Sequence, residues 1–287
     1  MSDDRGARAP RLESGDGGDE GMSPELARFF DAMRPYLAGE EPPRRFVERL
    51  GPSPSGERRL SVYPRLVALD WIGVIDKLYE ATRYAIESHF DGLARIEGGK
   101  SSEPGKSAWR RLRAELGRAH PPTHWDINEY GRPFPEWIAS RRDSGENLPG
   151  FVDQLADFEW LEFSTWSAPD VPAVAKGDRP IVEPTVSVRQ YSFPVPAYAR
   201  AVRRGEKPPA PAEKATTVVV YRRADTLLVH LFYPSVAGLL VLAHATGEVD
   251  ADTLAKAGVT PDMRKSAENA LYEHKILRRE TTPGAPA

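Results

Sequence analysis

Cysteine is absent from the 287 residues. Its absence excludes a disulfide frame, a thiolate nucleophile, an iron–sulfur cluster held by this chain and a Cys-type zinc site. Any metal would rest on six histidines and the carboxylates. Charge of one sign is missing too: 39 Lys and Arg stand against 42 Asp and Glu, a formal net charge of −3, so no global field holds a polyanion. No run approaches the ~20 apolar residues of a membrane span. The opening MSDDRGARAP is acidic and small where a signal peptide needs a basic patch and then an apolar run. These features predict a soluble, cytoplasmic protein. Hydrophobic residues make up 40% of the chain, enough for a core in each of about two domains.

Residues 1–22 carry almost no large apolar side chain and cannot offset the entropy of ordering, which predicts a disordered tail. Ser23-Pro24-Glu25 then suits a helix start, with Leu26, Phe29, Phe30, Met33 and Leu37 at helical spacing. From Pro64 a long helix is expected through Trp71, Ile75, Leu78, Tyr79 and Ile86, followed by helices at Trp109–Leu116, Phe134–Ile138 and Leu148–Trp166. Pro169, Pro172, Gly177 and Pro180 read as a linker over 169–183. Beyond it, Thr185–Tyr191, Thr216–Tyr221 and Thr226–Tyr233 are β-branched or apolar strand candidates, the last two joined by Arg223, Ala224 and Asp225 as a hairpin loop. Three short helices close the pattern, starting at Pro234-Ser235, Asp250 and Thr260-Pro261, with stops at Gly247 and Gly258. The expected class is α+β: an all-α domain over 23–168, then a winged helix-turn-helix of three strands and three helices over 184–280, and a tail at 281–287.

Catalytic motifs are incomplete. Gly99-Lys100-Ser101 and Gly105-Lys106-Ser107 each lack the upstream glycine of a phosphate loop, which would stand at Ala94 and Lys100. His120 and His124 have a ligand-pair spacing, but Pro121 and Pro122 interrupt any helix through them, so a turn with surface histidines is expected. There is no Gly-x-Ser-x-Gly elbow. The pairs Asp153/Asp157 and Glu159/Glu162 read as a solvated helix face, although Glu159, beside Trp160, could instead hold a buried Arg or a tyrosine hydroxyl. No catalytic residue, metal ligand or cofactor site is assigned, and an enzyme is not expected.

An ordered series of short motifs is more specific: Arg59-Leu60-Ser61-Val62-Tyr63, His120-Pro121-Pro122, Asn128 through Ile138 (NEYGRPFPEWI), Asp153 through Trp160 (DQLADFEW) and Ala168-Pro169-Asp170. In order and spacing the series resembles the helical domain catalogued under a DNA-binding label and similar to the partner subunits of multinuclear non-heme iron oxidative enzymes. These partners, of the methanobactin-biosynthesis C-subunit type, serve the modification of ribosomally made peptides. Pro64 departs from the family, which more usually has Arg after its Val-Tyr. The resemblance implies a non-catalytic subunit whose helical domain docks on a barrel-shaped enzyme that carries the iron, while the C-terminal module binds the leader of a precursor peptide. On that reading Tyr63, Tyr130, Phe134 and Trp137 are candidates for partner docking. A structural alternative is a turn in which Gly131 is left-handed and Phe134 and Trp137 anchor it in the core.

The residues themselves bear on peptide against DNA. The third helix, expected over Pro261–Leu277, places Met263, Ala267, Ala270, Leu271, His274 and Leu277 on a core face and leaves Arg264, Glu268, Tyr272 and Lys275 outward. This mixed face suits a peptide better than a phosphate backbone. The strand over 226–233 is apolar on both faces, so it is either buried on both sides or presents one face and an open edge to an added strand. The second alternative makes Leu227, Val229, Leu231 and Tyr233 candidate peptide-binding residues together with the outward residues of the helix. The competing class is a DNA-binding regulator using the same module: residues 183–280 hold 14 basic and 11 acidic side chains, room for a patch at Arg222, Arg223, Arg278 and Arg279.

Overall fold

The structure is a computed structural model describing residues 24–37, 41–51, 62–97, 103–121, 127–171 and 180–278. The tails expected at 1–22 and 281–287, His124, Arg279 and the Gly99-Lys100-Ser101 near-miss lie outside the described residues. The chain divides into two compact units, Met1–Ala68 and Leu69–Ala287. The linker expected at 169–183 falls inside the second unit, and 172–179 lie outside the described residues.

In the first unit α1 (Pro24–Leu37) and α2 (Pro43–Leu50) form a small helical pair. Its core is Ala32, Tyr36 and Phe46, with the Tyr36 and Phe46 rings stacked at 4.5 Å. α3 (Val62–Leu78) begins in this unit and runs into the next.

The long helix expected from Pro64 through Ile86 is two helices, α3 and α4 (Glu80–Ile96), broken at Tyr79 (φ −115, ψ 45). The cause is a side chain from far along the chain. Glu159 accepts hydrogen bonds from the Ala81 and Thr82 N–H groups at 2.8 and 2.9 Å and from the Thr82 hydroxyl at 2.7 Å. Those N–H groups therefore have a carboxylate as acceptor at the start of α4, which stands in for the missing local cap.

α5 (Pro104–Ala119), a 3-10 turn (Ile127–Gly131), α6 (Phe134–Asp143) and α7 (Val152–Ser167) complete the helical layer. Trp71, Ile75, Tyr79, Trp109, Leu112, Leu116, Phe134 and Ile138 form its core. Gly105, one of the phosphate-loop near-misses, is a packing residue: a Cβ there would lie 2.1 Å from the Glu87 carbonyl oxygen, so glycine lets α5 approach the α4 backbone. Gly131 likewise has no positive φ, contrary to the left-handed turn expected. A Cβ there would come within 2.6 Å of Leu78, and its carbonyl accepts the Tyr79 hydroxyl at 2.6 Å.

The α+β class holds. After β1 (Ile181–Val182) come β2 (Ser187–Tyr191), α8 (Val195–Arg203), β3 (Thr216–Arg222) and β4 (Val229–Phe232). α8 occupies a stretch for which no element was expected. α9 (Val236–Thr246), α10 (Ala251–Lys256), α11 (Pro261–Glu273) and β5 (Leu277–Arg278) follow. Ser235, Asp250 and Thr260 cap the three helices through Gly238, Thr253 and Met263 N–H groups, and Gly247 and Gly258 take φ of 90 and 75 where the chain reverses. The third helix ends four residues earlier than expected, because Lys275 turns left-handed (φ 61) and sends Leu277 into β5, which pairs antiparallel with β1.

β2, β3 and β4 form an antiparallel sheet in that order. Both of its faces are covered. Val218 and Val220 join Ala81, Ala85, Leu155, Phe158, Tyr198 and their neighbours from α4, α7 and α8 in one core. Val219 and Tyr221 join Val241, Leu242, Leu271 and Ile276 from the α9–α11 side in another. One hydrophobic core thus draws residues from both sides of the 169–183 segment.

Candidate functional site

β4 is an edge strand. Its register with β3 pairs Arg222 with Val229, Tyr221 with His230, Val220 with Leu231 and Val219 with Phe232. Arg223 N–H donates to the Leu228 carbonyl at 3.0 Å. By antiparallel alternation His230 and Phe232 exchange main-chain hydrogen bonds with β3, and the main-chain groups of Val229 and Leu231 point away from it. Among the described residues no backbone hydrogen bond reaches those outward groups. β2, at the opposite margin, is the sheet's other edge.

The end of α11 lies beside β4. The Phe232 ring and the His274 imidazole are 4.6 Å apart, and the Tyr221 hydroxyl donates to the His274 carbonyl at 2.7 Å. His230 lies on the same side of the sheet, its ring 5.8 Å from Tyr221 and its Nε2 buried without a hydrogen-bond partner among the described residues. Burial, with the nearby Arg223 cation, holds the imidazole below its usual pKa. The side of β4 nearest α11 is therefore aromatic and favours a neutral histidine.

The sequence candidates are placed as follows. Val229 and Leu231 project to the other face, against the core shared with α7, so the structure does not bring their side chains together with α11. The residues on that side are His230 and Phe232. Leu227 is exposed in the hairpin loop with φ 56, and Tyr233 is exposed just past β4. The loop is longer than Arg223–Asp225, because Leu227 N–H returns to the Arg223 carbonyl at 2.8 Å. On α11, Arg264 and Glu268 are half-buried and paired at 2.8 Å, and Tyr272 is half-buried against the core. Lys275 is exposed in the turn after the helix, and Met263, expected in the core, is 46% exposed. No parity signal exists in Leu227-Leu228-Val229-His230-Leu231-Phe232, which is why the facing residues were illegible.

Of the docking candidates, Phe134 is 0% exposed, with its ring 4.4 Å from Tyr79 and 5.9 Å from Trp109. Trp137 and Tyr130 are half-buried against the same core, Trp137 under the Arg141 guanidinium at 5.5 Å. Tyr63 lies in the first turn of α3, its side chain outside the described residues.

The α7 carboxylates are not a solvated face. Asp153 pairs with Arg142, Asp157 accepts the Tyr191 hydroxyl at 2.8 Å, and Glu162 accepts Arg203 at 2.6 Å. Glu159 is buried and capping, with Arg203 at 3.8 Å. Burial pushes its carboxyl up to about 7 against the opposing hydrogen bonds from Thr82 and Ala81. All four therefore have positioning roles within the protein. His120 caps the end of α5 and is exposed. Among the described residues no helix is long and apolar enough to cross a membrane.

No protein-family model matches the chain, and no curated protein matches it.

Proposed function

We propose that this chain is a non-catalytic partner subunit that captures a ribosomally made precursor peptide and delivers it to a multinuclear iron-dependent oxidative enzyme of barrel fold. The observation that carries the reading is the outward main chain of Val229 and Leu231 on an edge strand, beside the aromatic Phe232–His274 contact at the end of α11. An extended peptide satisfies such an edge by strand addition and needs neither metal nor charge excess. In this reading β2–β4 with α9–α11 are a winged helix-turn-helix used for peptide rather than DNA, and the helical layer meets the enzyme, which contributes the iron. Holding the peptide on the same assembly raises its effective concentration at the oxidising centre.

The test uses the full chain with the iron-dependent oxidative enzyme and the short precursor peptide that the proposal expects its neighbouring genes to encode. The expected outcome is a stable complex with the enzyme and micromolar or tighter peptide binding that Val229→Pro weakens at least about tenfold. That substitution removes an outward N–H while leaving the β3 ladder intact. Peptide affinity unchanged by Val229→Pro, or no complex with either partner, overturns the proposal. Retention of duplex DNA with a steep salt dependence replaces it by the regulator reading.

A further inference from the structure

A cavity of about 260 Å³ lies where the β3–β4 loop meets the chain leaving α7 and the segment before β2. Arg222 and Arg278 both line it. Arg278 is neutralised by Glu183, whose side chain is 7% exposed. Arg222 is held differently. Its side chain is only 12% exposed, and its Nη1 donates to the Trp166 carbonyl at 2.8 Å. Its one carboxylate partner among the described residues, Asp170 at 2.6 Å, is 82% exposed.

A guanidinium cannot shed its proton to escape burial, so it needs an anion. A carboxylate standing in water gains little from the pair and is readily exchanged. With Asp170 swung away, among the described residues the two arginines of the lining face the single buried carboxylate of Glu183, and one guanidinium is left without a carboxylate. The lining also includes the apolar side chains of Val171 and Leu227, both partly open to solvent. Leu227, one of the lining residues, is held at φ 56, a conformation that leucine adopts at a cost.

We propose that this cavity binds a carboxylate carried on a short apolar stem, the Arg222 guanidinium taking it in exchange for Asp170 while the stem packs on Leu227. The proposal does not rest on strand addition at β4. It leaves two sources of the group, an acidic side chain within a chain or a free terminal carboxylate, which share this chemistry.

The experiment titrates the full chain, observed by NMR at the Leu227 methyl groups and the Arg222 guanidinium, with N-acetylglutamate methylamide, N-acetylleucine and the uncharged N-acetylglutamine methylamide. Saturable shifts from one or both carboxylates and none from the amide are expected, and the carboxylate that binds identifies the source. Asp170→Asn removes the internal competitor on an exposed residue and is expected to tighten binding about fivefold. Arg222→Gln is expected to abolish it. Should Arg222→Gln fail to fold, Asp170→Asn decides alone. No saturable carboxylate binding by either the native chain or Asp170→Asn, an affinity unmoved by Asp170→Asn, or equal shifts from sulfate overturns the proposal.

Discussion

The carboxylate of Glu159 sits where the N–H groups of Ala81 and Thr82 need an acceptor, and it takes both. Its pKa is raised by burial to about 7 from an ordinary 4.5. The folded chain thus holds this proton more tightly than the unfolded chain. The stability contributed by the group is complete below about 4.5 and is lost as pH rises through about 7. Melting curves of the native chain and Glu159→Gln are expected to diverge in slope across that window, the native chain losing stability with rising pH relative to the variant. A difference in melting temperature that stays constant across the window would remove this assignment. A second residue-scale prediction concerns Lys275, exposed at φ 61 directly after α11. Lys275→Gly is expected to stabilise the fold by about 0.5–1 kcal/mol, read by urea titration, because glycine occupies the left-handed region without the Cβ penalty.

At the scale of elements, helix spacing and end signals carried much of the way. Ser235, Asp250 and Thr260 cap the helices whose starts they mark, and Gly247 and Gly258 close turns as their positions imply. The break between α3 and α4 was invisible, because the local pattern Trp71, Ile75, Leu78, Tyr79 and Ile86 is continuous and the acceptor that divides it comes from a residue about eighty positions away. The contact of α4 with α5 rests on Gly105, where a Cβ would meet the Glu87 carbonyl oxygen at 2.1 Å. Gly105→Ala is expected to cost about 1–3 kcal/mol, measured by urea unfolding, since a backbone cannot yield as a side-chain tip does. A neutral result would mean that the two helices separate there without penalty. On β4 the strand itself was legible but its facing was not. His230 and Phe232 turn toward α11, whereas Val229 and Leu231 turn toward α7, and an all-apolar strand offers no alternation from which to choose.

For the molecule as a whole, the sheet between two helical layers joins what composition separates. Ala81, Leu155 and Phe158 share a core with Tyr191, Tyr198, Val218 and Val220, and Leu69–Ala287 is one compact unit. Residues 184–280 expressed alone are therefore expected to give a poorly dispersed NMR spectrum, and to regain dispersion only when the 23–168 piece is supplied. An independently folded 184–280 fragment would show that the shared core is dispensable. The sequence by itself determined the absence of thiol chemistry, the balance of charge, the α+β class, the places of most helices and the three strands of the sheet, because composition, periodicity and caps are local. Only the tertiary structure decided that Glu159 divides a helix, that Gly105 and Gly131 serve close approach, that Phe134 is fully interior, and that Arg222 is enclosed while its partner Asp170 stands in water. Each of those facts depends on which distant segments meet, and burial changes the energy of a charge or a hydrogen bond far more than its neighbours in sequence do.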